Sequence, residues 1–324
     1  MNAKRIALDY GPMFVIWLAL VLVFGALSDN FLTLRTLSSI AGQVPPLAII
    51  CCGMTLVLII AGIDLSVGSV LALSGSVLCV AIANWELPIA VAILLAVVTG
   101  GLAGLFNGAV SGLLKIPSFI VSLGTLKIAF GLAMLVTGSQ TITVGFQLEF
   151  LLTPVMGVPV SFLVAIVAVI LWQFVLSRTV FGRYLIAIGT NENAVNLAGV
   201  STGGKKILVF VICGLMTGLA SVFFAARLGG VNADAGNGLE LSAIAAVVIG
   251  GTSLMGGRGS VVNSFVGVLI ILTLDAGLAQ VGAKEFAKHM ITGFVIIVAV
   301  TLDAFRGDLI PKLQRKFKRK EAAS

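Results

Sequence analysis

The sequence predicts an all-α integral membrane protein of about ten transmembrane helices, arranged as two inverted five-helix repeats. Three observations carry this prediction. The 324 residues are 59% apolar and only 10% charged, with a mean hydropathy of +1.17, whereas soluble domains are about 45–50% apolar and about 25% charged. Apolar runs long enough for a span of about 20 residues recur along the whole chain and leave only short connections. Gly62-Ile63-Asp64-Leu65-Ser66 is echoed by Gly238-Leu239-Glu240-Leu241-Ser242, five spans later. An odd offset reverses direction in the membrane, and inverted repeats enclosing a pathway are a transporter feature. No room remains for a soluble second domain, so residues 1–324 read as one transmembrane domain.

The elements follow in order. Lys4 and Arg5 precede an apolar run with no convincing cleavage site after it, so 11–28 reads as a retained first span. Hydropathy and turn residues then place spans at 44–61, 66–83, 88–113 and 117–137. The fourth is lined by Gly100, Gly101, Gly104, Gly108 and Gly112, a pattern for close helix packing. Residues 138–158 form an outer loop. A sixth span at 159–177 leads into the longest hydrophilic stretch, 178–206. Spans at 207–226, 241–255, 261–281 and 287–305 complete the set, the eighth short and glycine-rich enough to be broken or tilted. The basic end 306–324, with KLQRKFKRK, suits topology and contact with anionic lipid.

Basic residues orient the chain. With the amino terminus inside, fifteen Lys and Arg lie on the inner side and four on the outer, with Lys127 left within a span. That bias places both termini in the cytoplasm. It also explains the net charge of +7 without nucleic acid.

Few residues suggest chemistry. Cys51, Cys52, Cys79 and Cys213 lie in apolar runs, form no C-x-x-C pair and have no histidine beside them, so metal ligation and a disulfide framework both fail. Gly199 to Lys206 nearly fits a phosphate loop, but its last position is Lys206 rather than a hydroxyl residue, and no strand precedes it. Gly199-Val200-Ser201-Thr202-Gly203 fits a nucleophile motif, but the one histidine, His289, falls on the opposite face. No catalytic set is expected. Within 178–206, Asn191 is placed to cap a short helix from Glu192 to Ala198, and Gly199 to stop it. Such a helix suits a grip by a soluble partner; a solvated linker is the alternative.

The chain resembles the permease subunits of bacterial ABC sugar importers, the ribose/xylose/galactoside-type group. The resemblance rests on Gly53-Met54-Thr55-Leu56-Val57, GIDLSVGSV at 62–70, IPSFIVSLGTL at 116–126, FGRYLIAIGTNENAV at 181–195 and ELSAIAAVVIGGTSLMGGRGSV at 240–261. It implies a bacterial inner-membrane protein working with cytoplasmic ATP-binding subunits, a periplasmic sugar-binding protein and a second permease copy or homologue. ATP and magnesium would be bound by those partners, and none by this chain. Residues 193–199 are similar to the family's coupling motif E-A-A-x3-G: Ala194 and Gly199 match, Asn193 replaces the acid, Val195 the second alanine, and Glu192 stands one position early. The coupling residues implied are Asn191, Glu192, Asn193, Ala194 and Gly199.

Other polar residues have two readings each. Asp64 and Glu240 stand at the starts of spans three and eight, as helix caps or as gating groups. Lys127 lies about 16 Å into span five at 1.5 Å per residue, near the membrane middle, where a lone ammonium is costly. It serves as a structural ion pair, with Asp275 a candidate partner, or lines the substrate pathway. Gln43, near the start of span two, and Asn107 are placed to bond sugar hydroxyls or neighbouring helices. The alternatives are a gradient-driven secondary transporter, or an ABC importer of branched-chain amino acids or nucleosides.

Overall fold

The computed structural model describes residues 3–155, 158–284, 286–288, 290–295, 297–298 and 301. The chain is almost entirely helical: α1 (Ala3–Leu27), α2 (Leu34–Ile59), α3 (Val67–Ala83), α4 (Ile89–Leu113), α5 (Ser118–Thr137), α6 (Val160–Arg178), α7 (Val180–Leu197), α8 (Gly203–Leu228), α9 (Leu239–Ile249) and α10 (Val261–Gln280). Six of these, α2, α4, α5, α6, α8 and α10, are long and apolar enough to cross a membrane. The tenth sequence-predicted span falls partly, and the basic tail wholly, outside the described residues.

The core forms around α2. Its apolar stretch is 89% buried, and it packs against α6, α8, α9 and α10. The sequence places its start at 44, but the helix begins at Leu34, capped by Thr33, and runs through Pro45 and Pro46. Proline removes a helix donor, yet neighbouring helices keep both residues buried here and the helix continues.

Two of the sequence-predicted spans are short helices. α3 has 17 residues and α9 has 11, about 26 Å and about 17 Å at 1.5 Å per residue, each short of a hydrocarbon core about 30 Å thick. Irregular backbone precedes each of them. The stretch from Ala61, at φ 57°, to Ser66 leads into α3. On the other side, 229–238 descends beside α3 into α9. Val231 packs against Gly75 and Gly236 against Gly68, so the beginnings of the two short helices meet inside the molecule. A side chain at Gly68 would overlap the Gly236 carbonyl and the Glu240 carboxylate. α9 ends at Ile249 rather than near 255, because Gly251 (φ 86°), Gly256 (φ 83°) and Gly257 (φ 77°) turn the chain in the left-handed region.

α4 and α8 lie in backbone contact. A Cβ at Gly100 would overlap the Gly214 carbonyl oxygen, and one at Gly104 that of Phe210. The connection between α5 and α6 is folded rather than loose: β1 (Ile142–Thr143) pairs antiparallel with β4 (Gly230–Val231), β2 (Pro154–Val155) pairs with β3 (Val158–Pro159), and the 3-10 helix between β1 and β2 (Gly145–Leu151) buries Leu148. At the opposite end, α7, the end of α2 and the 250–260 turn converge. Gly257 N donates to Ile59 O at 2.9 Å, and a side chain at Gly189 would overlap that same carbonyl.

Candidate functional site

A buried polar chain joins the irregular segment before α3 to α4 and α5. Asp64 Oδ1 accepts from Ser66 N at 2.9 Å and from Ser66 Oγ at 2.6 Å. Ser66 Oγ accepts from Asn107 Nδ2 at 2.9 Å, and Asn107 Oδ1 accepts from Thr125 Oγ1 at 2.5 Å. All four residues are at most 4% exposed. Asp64, which the sequence puts at the mouth of a span, is therefore drawn inside, because the extended segment carries the start of α3 inward; the cap position itself is Ser66. The irregular backbone is satisfied by α5. Ile63 N donates to Ser118 Oγ at 2.9 Å, and Leu65 N to Ser122 Oγ at 3.0 Å. A backbone N–H left unpaired inside the protein costs about 1–3 kcal/mol, so these serines are what permit a non-helical stretch there.

Next to this segment a cavity of 630 Å³ opens at the α7 end, lined among others by Gly62, Lys115, Ser118, Asn193, Asn196 and Lys206. Its wall is the second half of α7. Asn191 leaves helical geometry at φ −161°, ψ 94°, and its Oδ1 accepts from Ala194 N at 3.0 Å, so the helix restarts at Glu192. It stops at Leu197, with Gly199 at φ 79°. The first half, to which the sequence reading assigns no element, is helical, with Leu185 and Ile188 buried on one face. Glu192 ties this short helix to α8. Lys206 Nζ lies 2.5 Å from Oε2, and Thr202 Oγ1 donates to Oε1 at 2.9 Å. Burial pushes the Glu192 carboxyl up, but the hydrogen bonds from Lys206 and Thr202 and the charges of Lys206 and Lys115 outweigh it and hold the carboxyl below its ordinary value. Asn193 lines the cavity, while Ala194 and Gly199 form the body and the end of the short helix.

Lys127 lies elsewhere, halfway along α5, on a second cavity of 150 Å³ with Asp234, Asn237 and Glu240. The ion pair with Asp275 does not form: Asp275 Oδ1 accepts from Thr292 at 3.4 Å, and Lys127 faces the 229–238 segment instead. Glu240 sits in the first turn of α9, its Oε1 accepting from Gly238 N at 3.3 Å. Gln43 is ten residues into α2, not near its start, and bonds its own helix at Ser39 O. The structure thus gathers Asp64 with Asn107, Glu192 with Asn193, and Lys127 with Glu240, and leaves Gln43 apart. Sequence reasoning missed Ser118, Ser122 and Thr125. Their signal was a row of hydroxyls within an apolar run, at spacings of three and four that share one helix face. It also missed Asp234 and Asn237, which carry no local signal.

Comparison with known proteins agrees with this architecture. Residues 36–300 match the family model described as branched-chain amino acid transport system / permease component. The chain is 37% identical over 293 residues to the ribose import permease protein of Escherichia coli K12, covering 88% of this chain and 91% of that protein. It is 36% identical over 299 residues to the D-allose transport system permease protein of the same strain, covering 91% of each. It is 33% identical over 289 residues to the autoinducer 2 import system permease protein of Yersinia pseudotuberculosis, covering 88% and 82%. No solved structure matches the chain.

Proposed function

The chain belongs to this family of multi-pass ABC importer permeases, and on that premise we propose that it is the sugar-translocating subunit of an ATP-driven importer in the bacterial inner membrane. In this reading it has ten spans in two inverted halves with both termini in the cytoplasm. It pairs with a second permease copy or homologue and receives sugar from a periplasmic binding protein. Two cytoplasmic subunits bind ATP and magnesium, and the chain carries out transport without chemistry of its own. The single domain carries the coupling loop 178–206 and the cytoplasmic tail 306–324.

The observation that carries the reading is the separate short helix that restarts at Glu192, capped by Asn191. It stands at one end of the bundle, hinged by non-helical backbone, yet is tied through Glu192 to Lys206 on α8. Asn193 and Asn196 on it share the large cavity with Gly62 and Ser118, one hydrogen bond from the Asp64 segment. A push on Asn191, Glu192, Asn193, Ala194 or Gly199 therefore has a packed route to α8, α5 and the segment before α3. A partner shifts the conformational balance only through different affinity for the two states, and ATP binding to the partners supplies that difference. Asn107 and Lys127 border the proposed pathway, with Asp64 and Glu240 as gating groups at the starts of the two short helices. Gln43, which bonds only its own helix, has the weakest support as a pathway residue.

The test is a mild-detergent pull-down of the tagged chain from its native membrane, with mass spectrometry of its companions. An ATP-binding subunit is expected to co-purify, and to be lost when residues 191–199 are scrambled while the permease still elutes as a folded species. A well-folded chain that brings down no such subunit, even after cross-linking, overturns the reading in favour of gradient-driven transport.

A further inference from the structure

The cavity beside Lys127 brings Lys127 and Glu240 together with three polar residues to which the proposed mechanism gives no role. Five hydrogen-bonding side chains line it: Ser69, Lys127, Asp234, Asn237 and Glu240. Among the described residues, Lys127 forms no ion pair with either acid, so the opposite charges face the cavity without neutralising each other. Charges halfway along a membrane-spanning helix are not stable against lipid; they belong to a water-filled or ligand-filled space. Gly68 shapes this one, because any side chain there would displace the Glu240 carboxylate. The volume of 150 Å³ is that of a space holding one six-membered ring.

We propose that this cavity is a solute subsite for a single uncharged polyhydroxylated ring, recognised by Ser69, Lys127, Asp234, Asn237 and Glu240. The proposal rests on the sugar-importer reading and adds where the sugar is held and which solutes are refused. The lining offers donors from Lys127, Asn237 and Ser69 and acceptors from Asp234, Glu240 and Asn237, which suits a molecule bearing a hydroxyl on most carbons. Phe130 also lines the cavity and adds apolar surface suited to the C–H groups of such a ring. One positive and two negative groups leave an excess of negative charge, so sugar acids and sugar phosphates are repelled. Lys127, Asp234 and Asn237 are exposed in the single chain, so selectivity rests on the hydrogen bonds they offer: a branched aliphatic side chain makes none of them, and a site built for hydroxyls discriminates against ligands that lack them.

All four native cysteines are at most 1% exposed, so a thiol introduced by Asn237→Cys is the one a charged methanethiosulfonate reagent should reach. The complete importer is reconstituted in lipid nanodiscs and the modification rate followed with D-ribose, D-allose, gluconate or leucine added. Phe146→Cys, exposed in the connection between α5 and α6, is the control, and Ser69→Cys repeats the measurement if Asn237→Cys folds poorly. An aldose is expected to slow modification about threefold at about twice its dissociation constant, at the cavity position alone. Gluconate and leucine should leave the rate unchanged, and Glu240→Gln should remove the protection. Protection by leucine instead of sugars overturns the proposal, as does equal slowing at the control position. Uptake of labelled sugar by the same importer in proteoliposomes is measured in parallel. Uptake without any protection overturns the subsite but leaves the importer reading standing; absence of sugar uptake by the intact complex defeats that reading itself.

Discussion

Asn107 has the most consequential side chain at the residue scale. It donates to Ser66 and accepts from Thr125 at 1% exposure, and so holds the Asp64 segment to α4 and α5. Asn107→Ala removes the bonds to Ser66 and Thr125 from a buried network, at about 0.5–1.5 kcal/mol for each. The expected result is a clearly lowered melting temperature in detergent. Gln43→Ala is the contrast. Gln43 bonds only its own helix, and the change should stay within about 0.5 kcal/mol. Equal effects of the two substitutions would show that the buried chain does not contribute as described.

At the element scale the decisive contact is between α4 and α8. Their glycines permit backbone approach, so a larger residue cannot be absorbed by a rotamer change. Gly100→Leu and Gly104→Leu are expected to abolish a monodisperse size-exclusion peak, because the new side chains would displace carbonyls of α8. Gly124 lies on α5, and the space a methyl group would occupy there is open, with nothing within 4 Å. Gly124→Ala should therefore be tolerated, and stabilising by up to about 1 kcal/mol through helix propensity. Two serines of α5 have a separate role: Ser118 and Ser122 replace the missing helical partners of Ile63 and Leu65.

For the whole molecule, what matters is how one end is connected to the middle. α4, α5 and α6 have apolar stretches only 28% buried, so their outer faces are left for lipid or another subunit. The short helix is joined to the bundle by the Glu192–Lys206 tie. The Glu192 carboxyl titrates below its reference value of 4.5 in the folded protein. The contribution of the tie is therefore complete above that value and lost as pH falls through the lower, folded-state value. Thermal stability of the purified chain should decline on that acid limb, and Glu192→Gln should flatten it. An unchanged acid limb in Glu192→Gln would assign the decline to other groups.

Much of this protein was legible in its sequence, because the signals are local. A hydrocarbon core demands long apolar runs, so the membrane class and most span positions follow from hydropathy. Asn191 and Gly199 bracket the short helix through capping chemistry that acts within three or four residues. Five short segments, from Gly53 to Val261, carry the family. The tertiary structure decided what depends on distant partners. α2 passes through Pro45 and Pro46 because other helices bury that turn. Residues 61–66 remain non-helical at depth because α5, more than fifty positions away, supplies their hydrogen bonds. Lys127 faces Asp234 and Glu240 rather than Asp275 because 229–238 returns beside α3. Periodicity reports which face of a segment is apolar; only packing determines which polar group meets which.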